Sequence, residues 1–287
     1  MWISDNWKTY ELIDARDGKR LERFGDYTFV RPDPTAFWSV PKACEWKTID
    51  AVYNRASSGG GAWDFKTKLP AQWVIDYQNK WAEYKFNIRP MGFKHMGIFP
   101  EQACNWDYLA EHVEPGDKLL NLFAYTGGAS VAALAAGASV VHVDSSKGIV
   151  GLAKANVALN KMEERPIRYI VDDAVKFVKR EIRRGNRYEC IVLDPPSYGR
   201  GPNGEIWKLE NEVCELLTMC KQLLSDKVKF VILNSYTTGV SSGALGALAK
   251  IIFDGFKVSA DELALPISSR AGLALPCGCS VRIEKGE

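Results

Sequence analysis

The sequence contains little of what marks metal-binding and disulfide-rich proteins. Its 287 residues include 3 histidines and 7 cysteines. The cysteines form no C-x-x-C pair and have no histidine partners at the spacing of a zinc site. Only Cys277 and Cys279 lie close together, so a metal site or an oxidisable pair there stays an alternative. We favour free thiols in a reducing compartment and predict no metal site.

The net charge does not indicate binding to nucleic acid, and the apolar runs do not indicate a membrane span. The net charge is +2, so there is no global basic field, although a local basic patch remains compatible with it. The stretch from Met1 to Trp7 lacks the basic and apolar segments of a signal peptide. No apolar run approaches the roughly 18 residues of a membrane span. We therefore expect a soluble, cytoplasmic protein with no membrane partner.

What the sequence does contain is an apolar strand that leads through a glycine turn into a helix. Leu119 to Phe123 precede Gly127 and Gly128, and an Ala-rich segment follows from Ser130. This pattern predicts a buried parallel strand before a helix N-terminus, where a glycine lets a ligand approach the backbone. The next apolar strand, Val140 to Asp144, ends in an acid, at the place where such folds bind ribose hydroxyls.

Two nucleotide cofactors compete for this turn. A nicotinamide dinucleotide needs the glycine spacing G-x-G-x-x-G for its pyrophosphate, but Tyr125 and Ser130 stand where the first and third glycines would be. S-adenosylmethionine (SAM) has no phosphate, so a looser turn suffices. We predict a SAM site. Its first candidate residues are Asn121, Phe123, Tyr125, Thr126, Gly127, Asp144 and Ser145.

A pair of acids follows the third strand, Ile167–Val171, and precedes a helix that begins at Ala174. One acid is placed to accept from the adenine amino group while the other caps the helix. We assign adenine to Asp173 and the cap to Asp172, and we add Ala174 to the candidate cofactor residues. The alternative is that both acids are caps.

The chain changes character near residue 90. Residues 1–90 show short strands, with a hairpin turn at Arg16–Lys19, a flexible loop at Ser57–Gly61 and a final hairpin formed by Gln72–Tyr77 and Ala82–Ile88. Residues 91–287 alternate apolar strands with helices, which predicts a doubly wound parallel α/β sheet. The expected strands are Lys118–Phe123, Val140–Asp144, Ile167–Val171, Glu189–Leu193 and Lys229–Leu233, followed by a terminal pair, Lys257–Leu265 and Cys279–Glu284. We predict a small β-rich domain at 1–90, with substrate recognition as a possible role, and a cofactor-binding domain at 91–287.

Seven tryptophans crowd the first domain, at positions 2, 7, 38, 46, 63, 73 and 81. One interpretation is a surface that stacks bases, with phosphate partners Arg31, Lys42, Lys47, Arg55, Lys66 and Lys68. The other is the core of a small β domain, and we favour it because aromatic residues dominate small cores.

The segment Gly92–Gln102 joins the two parts and precedes a helix expected from Glu101 to His112. It is either a flap over the cofactor, in which Phe99 or Gln102 touches SAM, or a plain linker. We include Gln102 among the candidate cofactor residues.

The fourth strand ends in Asp194-Pro195-Pro196-Ser197-Tyr198. Prolines remove backbone donors, so this turn offers the Asp194 carboxylate and the Pro195 carbonyl as acceptors beside the cofactor. Such acceptors suit a substrate N–H that is held and partly deprotonated during methyl transfer. We name Asp194, Pro195 and Tyr198 as candidate catalytic residues. A simple strand stop is the alternative.

These motifs, together with the lead-in at Gly92–Gln102, resemble the bacterial SAM-dependent methyltransferases related to the large-subunit ribosomal RNA methyltransferases. The resemblance covers about residues 92 to 284 and implies a seven-stranded Rossmann-like methyltransferase sheet, with ribosomal RNA as the partner. That family includes cytosine carbon-5 and guanine nitrogen-7 enzymes.

The sequence departs from the carbon-5 pattern of that family. Carbon-5 chemistry as those enzymes do it needs a cysteine nucleophile after the Asp-Pro-Pro turn or after the fifth strand. Those places hold Ser197 and Asn234-Ser235-Tyr236, and Cys190 lies inside a strand. We therefore expect methyl transfer to a nucleobase nitrogen, with Tyr198 stacking on the base from a shifted position.

Several functional alternatives remain. They are methylation of a small molecule, methylation of a protein side chain, and a SAM-binding module without catalysis.

The loop Gly199–Lys208 is interpreted either as a substrate lid, with Arg200, Trp207 and Lys208 as a clamp, or as a surface loop.

Overall fold

The computed structural model describes residues 1–39, 44–56, 60–200 and 206–286, with Arg200 as backbone only. The chain forms two compact units. The first comprises Met1–Cys104 with Leu263–Cys277, and the second comprises Asn105–Glu262 with Gly278–Glu287. The sequence indicated a boundary near residue 90, whereas the first unit runs on to Cys104 and takes a segment from the C-terminal part of the chain.

The first unit is built from short strands. They are β1 (Trp2–Ile3), β2 (Tyr10–Arg16), β3 (Lys19–Phe24), β4 (Tyr27–Pro32), β5 (Ala51–Arg55), β6 (Gly61–Phe65), β7 (Trp73–Gln78) and β8 (Glu83–Ile88). Strands β2 to β6 form a five-stranded sheet in chain order, and β7 pairs with β8 as a separate antiparallel hairpin. Both predicted hairpins are confirmed; Asp17 and Gly18 take the positive φ values of 52° and 70° that such tight turns require. Of the predicted flexible loop, Ser57–Gly59 lie outside the described residues and Gly61 begins β6.

Most tryptophans of the first unit are structural. Their indole N–H groups donate to acceptors within the unit: Trp7 to the Pro100 carbonyl, Trp38 to Ala15, Trp46 to the Asp14 carboxylate, Trp63 to Met91 and Trp73 to Phe24. The Trp73 ring also stacks on Phe29, with ring centroids 5.8 Å apart. These contacts support the core interpretation, although Trp81 is 43% exposed.

One basic residue proposed as a phosphate partner has a different role. Arg31 is 2% exposed, and its guanidinium donates twice to the buried Glu22 carboxylate, at 2.6 Å each. The base-stacking interpretation, which we did not favour, is therefore wrong for Arg31, because a buried, paired arginine is not available to RNA. Lys47, Arg55, Lys66 and Lys68 are exposed, and Lys42 lies outside the described residues.

The extent of the first unit follows from its hydrogen bonds. The Ser4 hydroxyl donates to the Glu101 carbonyl at 2.8 Å, which ties the segment before α1 to the N-terminus. Trp2 pairs with Leu263 through the parallel β1 ladder, and Leu12 bridges to Ile267. Sequence patterns did not reveal these long-range pairings, because each involves only one or two residues.

The second unit alternates helices and strands. Its elements are α1 (Ala103–His112), β9 (Lys118–Leu122), α2 (Gly128–Ala135), β10 (Ser139–Asp144), α3 (Lys147–Leu159), β11 (Ile167–Val171), α4 (Ala174–Arg184), β12 (Cys190–Leu193), β13 (Tyr198–Arg200), β14 (Ile206–Lys208), α5 (Leu209–Gln222), β15 (Phe230–Ser235), α6 (Ser242–Ile252), β16 (Phe256–Pro266) and β17 (Ala274–Lys285). A short 3-10 turn, Pro100–Gln102, precedes α1. The predicted strands and helices of this half are confirmed, with most ends shifted by one or two residues.

The sheet of this unit has the order β16-β17-β15-β12-β9-β10-β11. Strands β15, β12, β9, β10 and β11 run parallel, and β17 runs antiparallel to β15. Helices α4, α5 and α6 pack side by side, and α2 packs against α3. The predicted doubly wound α/β sheet with a terminal antiparallel strand is therefore confirmed. No helix within the described ranges has the length and apolar composition that a membrane crossing requires.

Candidate active site

The candidate site lies where three neighbouring strands end. Leu122 of β9 is in register with Val143 of β10 on one side and with Leu193 of β12 on the other. The next residues in the chain are Phe123, Asp144 and Asp194. They therefore lie at the same carboxyl edge of the sheet. This is where open parallel sheets bind their ligands.

The turn after β9 has an unusual backbone. Phe123 and Tyr125 have positive φ values of 55° and 50°, and Gly127 has 86°. The Ala124 N–H donates to the Val143 carbonyl at 3.0 Å, which fixes the turn against β10. Non-glycine residues with positive φ cost free energy and occur where the surrounding structure enforces them, often at binding sites.

The two glycines of this turn are required for different structural reasons. Gly127 is the left-handed residue that caps α2, and a Cβ there would lie 3.2 Å from the Cβ of Ala153. Gly128 has an ordinary φ, but a Cβ would lie 2.7 Å from the ring of Trp106 in α1. The first glycine serves the backbone conformation and the second serves helix packing. The sequence indicated the turn but not the role of Trp106.

Asp144 fixes the turn through both carboxylate oxygens. One oxygen accepts from the Tyr125 N–H at 3.0 Å, and the other accepts from the Ser146 N–H at 2.9 Å. Burial raises the pKa of Asp144 above its ordinary value, although these two hydrogen bonds act in the opposite direction. Each carboxylate oxygen accepts up to two hydrogen bonds, so the group can still receive two hydroxyls. Ser145 follows directly and is exposed.

Asn121 lies in β9 just before the turn, and Thr126 is part of the turn. Asn121 is 2% exposed, and its amide donates to the Ser130 hydroxyl at 2.9 Å. The same hydroxyl lies 2.9 Å from Nδ1 of His142. Thr126 is also 2% exposed, and its carbonyl accepts from the Asn156 amide at 2.9 Å. Both predicted residues are therefore buried and tie the turn region to a helix, Asn121 to α2 and Thr126 to α3.

His142 completes this buried network. It is fully buried, and burial lowers its pKa to about 4. Its Nδ1 faces the Ser130 hydroxyl, and its Nε2 has no hydrogen-bond partner among the described residues. A neutral imidazole thus stands behind the turn.

The assignment of the two acids after β11 needs correction. Asp173, not Asp172, caps α4, because its carboxylate accepts from the Lys176 N–H at 2.8 Å. Asp172 accepts from the Asp173 N–H at 2.8 Å and forms an ion pair with Arg180. The sequence placed the helix start correctly at Ala174, but two adjacent acids gave no basis for choosing the cap. The Asp172 N–H donates to the Asp144 carbonyl, so the two strand ends are joined.

The Asp194 turn is held from several sides. The Asp194 N–H donates to the Leu122 carbonyl at 3.3 Å. The Ser197 carbonyl accepts from the Leu209 N–H, and the Ser197 hydroxyl accepts from that of Thr237 at 2.9 Å. Pro195 is buried and Asp194 is partly exposed at the sheet edge.

The segment after this turn forms a β-hairpin. Tyr198 pairs with Lys208, and Gly199 pairs with Trp207. Tyr198 is 47% exposed, as a stacking residue needs to be. Of the predicted lid, residues 201–205 and the Arg200 side chain lie outside the described residues. The Trp207 indole donates to the Pro196 carbonyl at 2.6 Å, and its ring centroid lies 5.4 Å from that of Phe123.

Cys190 and Cys279 lie in strands of the sheet as buried thiols, not as nucleophiles. Cys190 is fully buried in β12, and burial raises its pKa. Cys279 is 2% exposed, and burial raises its pKa to about 11, so it stays a thiol near neutral pH. The glycine between Cys277 and Cys279 has a packing reason, because a Cβ on Gly278 would lie 2.7 Å from the Tyr236 ring. Within the described ranges, no group of His, Cys, Asp and Glu side chains could hold a metal ion.

Gln102 belongs to the first unit, where it is 8% exposed in the turn before α1. The contact predicted between Gln102 or Phe99 and the cofactor stays a prediction.

The residues at the sheet edge fit SAM. Asp144 supplies acceptor positions for a pair of hydroxyls, and the left-handed Gly127 begins α2 at the same edge of the sheet. The glycine spacing that a pyrophosphate needs is absent, as the sequence already indicated.

Comparisons with known proteins agree with this geometry. A family described as S-adenosylmethionine-dependent methyltransferase matches residues 83–239. The crystal structure of a SAM-dependent methyltransferase from Agrobacterium tumefaciens is 36% identical, with a TM-score of 0.91 over 99% of this chain and 93% of that one.

Two curated relatives are named for RNA. Ribosomal RNA large subunit methyltransferase K/L of Shewanella frigidimarina is 31% identical over 80% of this chain and 34% of its own length. Ribosomal RNA large subunit methyltransferase I of Aeromonas hydrophila is 33% identical over 46% of this chain and 32% of its own length. The chain thus spans about a third of the length of the curated relatives it matches.

Proposed function

The chain belongs to the S-adenosylmethionine-dependent methyltransferase family, and from that premise we propose that it methylates a nucleobase nitrogen in RNA. Ribosomal RNA is the substrate class that we propose, with the reaction in the cytoplasm. When bound, SAM supplies a methyl group that its positively charged sulfur already activates. The chain's own residues have to position the cofactor and the acceptor atom, and they have to receive a proton.

The observation that carries this proposal is the position of the Asp194 turn. It begins at the end of β12, the strand next to β9. A substrate nitrogen held by Asp194 therefore lies beside the turn that we assign to the cofactor. A carboxylate there accepts a hydrogen bond from a substrate N–H and partly deprotonates it. The Pro195 carbonyl is the second acceptor that we assign to the same N–H group.

The cofactor contacts follow from the same edge. We assign the ribose hydroxyls to Asp144, because its oxygens keep acceptor capacity after binding Tyr125 and Ser146. We assign the neighbourhood of the adenine to the Asp172–Ala174 turn, which hydrogen-bonds to the end of β10. Phe123 and Gly127 belong to the turn after β9. Because β9 lies between β10 and β12, this turn lies between Asp144 and the Asp194 turn.

A nitrogen target is favoured over a carbon target by the burial of Cys190 and Cys279. Covalent carbon-5 chemistry needs a thiolate that can reach the base. Cys190 and Cys279 are buried, and burial raises the pKa of both thiols. A nitrogen nucleophile needs only a positioned acceptor, and Asp194 is one.

RNA is favoured as the substrate by two observations. The curated relatives described above carry ribosomal RNA in their names. Tyr198 follows the Asp194 turn and is 47% exposed, so its ring is accessible for stacking on a base.

Mass mapping of methylated nucleosides in ribosomal RNA tests this proposal, with a deletion strain compared with its parent. We expect one N-methylated nucleoside to disappear in the deletion strain and to return on complementation with the wild-type gene. Complementation with Asp194→Ala should fail. Unchanged nucleosides would remove ribosomal RNA as the substrate. Binding of SAM by the purified protein would then direct the search to small molecules and protein side chains.

A further inference from the structure

Trp207 connects two turns at the carboxyl edge of the sheet. Its ring lies against Phe123, the first residue after β9, with centroids 5.4 Å apart and planes tilted by 49°. Its indole nitrogen donates to the carbonyl of Pro196, the third residue after β12, at 2.6 Å. One side chain therefore touches both the proposed cofactor turn and the proposed catalytic turn.

The composition of the Asp194 turn explains why such a contact matters. Pro195 and Pro196 have no N–H, so this part of the turn can be fixed only through its oxygens and its side chains. Three donors reach it from described residues: the Trp207 indole on Pro196, the Leu209 N–H on Ser197 and the Thr237 hydroxyl on Ser197. Among these three donors, Trp207 is the one whose ring also packs on the turn after β9.

Trp207 is itself held in place by the hairpin. It pairs with Gly199 in the β13–β14 ladder, and β14 leads directly into α5 at Leu209. Its position is therefore set by backbone pairing on one side and by two side-chain contacts on the other. A residue fixed in this way can transmit the position of one turn to the other.

We propose that Trp207 is a positioning residue that sets the Asp194 turn relative to the cofactor turn. This inference rests on the proposed function of the Asp194 turn in methyl transfer. Methyl transfer is sensitive to alignment, since a small misplacement of reacting groups lowers the rate strongly. Trp207 acts on the reaction through Pro196 and Phe123.

Two substitutions separate the two contacts. Trp207→Phe keeps an aromatic ring against Phe123 and removes the indole donor, so we expect SAM affinity within twofold of wild type. Turnover should fall about three- to tenfold, the range for losing one hydrogen bond of ordinary strength. Trp207→Leu removes both contacts, so we expect SAM affinity and turnover to fall together. The control is Trp73→Phe, which removes a comparable indole–carbonyl bond of 2.9 Å in the first unit and should leave both quantities unchanged.

A second readout does not depend on turnover. The chain has nine tryptophans, and the indole ¹H–¹⁵N signal that is missing from Trp207→Phe belongs to Trp207. We expect this signal to shift when wild-type protein is saturated with S-adenosylhomocysteine, because the ring touches the cofactor turn. The signal identified through Trp73→Phe should stay in place.

The outcomes distinguish this inference from the proposed function. If Asp194→Ala loses turnover while Trp207→Phe keeps wild-type turnover, the role of Trp207 is refuted and the function stands. If the wild-type protein transfers no methyl group to RNA, the function fails, and the indole shift then decides the inference alone. A Trp207 signal that does not move at saturation overturns it.

Discussion

Replacing Asp144 with alanine perturbs the proposed cofactor site at a single, well-defined group. The carboxylate accepts from the backbone of Tyr125 and of Ser146, at 3.0 and 2.9 Å. Asp144→Ala removes both bonds and also removes the acceptors that we assign to the ribose. The variant therefore tests whether this edge of the sheet binds SAM.

The expected magnitude follows from the groups left unpaired. Two ribose hydroxyls without acceptors should weaken SAM binding by about 1–3 kcal/mol. Because about 1.4 kcal/mol corresponds to tenfold in affinity, the dissociation constant should rise roughly 5- to 150-fold. Asp144→Asn keeps one acceptor oxygen, so its loss of affinity should be smaller.

Isothermal titration calorimetry with SAM measures this change directly. Chemical denaturation should accompany it, because the lost turn bonds also lower the stability of the fold. Ser241→Ala is a matched control, since Ser241 caps α6 by accepting from the Ala244 N–H. It should lower the free energy of unfolding by about 1 kcal/mol without changing SAM affinity.

The pH dependence gives a further check on the same group. Burial raises the pKa of Asp144, so the carboxylate is protonated at a higher pH than an exposed one as the solution is acidified. SAM affinity of the wild type should therefore fall on mild acidification, and that part of the loss should be missing in Asp144→Asn. A folded Asp144→Ala variant with unchanged SAM affinity, or with equal affinity for NAD, would refute the assignment.

Three further predictions concern packing, protonation and chemistry. Gly128→Ala should lower the free energy of unfolding by about 1–3 kcal/mol, because the new Cβ would lie 2.7 Å from Trp106, whereas Gly151→Ala in open space on α3 should not destabilise. The pKa of His142 is about 4 when folded and 6.5 when unfolded, so the unfolded chain binds more protons between these values and stability falls as pH drops through that window. Between pH 7 and pH 5, His142 should lower the free energy of unfolding by about 2 kcal/mol. Chemical denaturation of His142→Gln at both pH values should show a loss smaller by this amount. An equal loss in both proteins would contradict the assignment. Cys190→Ala should keep methyl transfer within twofold of wild type, and a 5-fluorocytosine RNA should trap no covalent complex; a trapped complex would restore the carbon-5 mechanism.

The fold of the second unit was readable from the sequence because its strands are apolar on both faces. Continuous apolar runs such as Val231–Leu233 and Ile191–Leu193 occur where a parallel sheet is covered by helices on both sides. The first unit was less readable. Strands β5 and β6 are partly exposed and irregular in pattern, and the pairing of β1 with β16 joins residues far apart in the chain.

Within the site, positions at strand ends were predictable and contacts were not. Asp144 and Asp194 follow apolar strands, so their place at the sheet edge could be inferred from the sequence alone. The choice of Asp173 as the cap depends on one backbone hydrogen bond, and adjacent acids look alike in sequence. Trp106 and Trp207 act through ring contacts with Gly128 and Phe123 that no spacing rule encodes.

The most direct test of the proposed reaction compares the wild-type protein and Asp194→Ala in the same two assays. The two proteins must first be shown to have the same melting temperature. One assay measures SAM binding, and the other measures transfer of a labelled methyl group to ribosomal RNA from a deletion strain. We predict that Asp194→Ala binds SAM as the wild type does and transfers methyl about 10²- to 10⁴-fold more slowly, the range for losing a positioned proton acceptor. A stable Asp194→Ala variant with full transfer activity would contradict the account, because the Asp-Pro-Pro turn would then only end a strand.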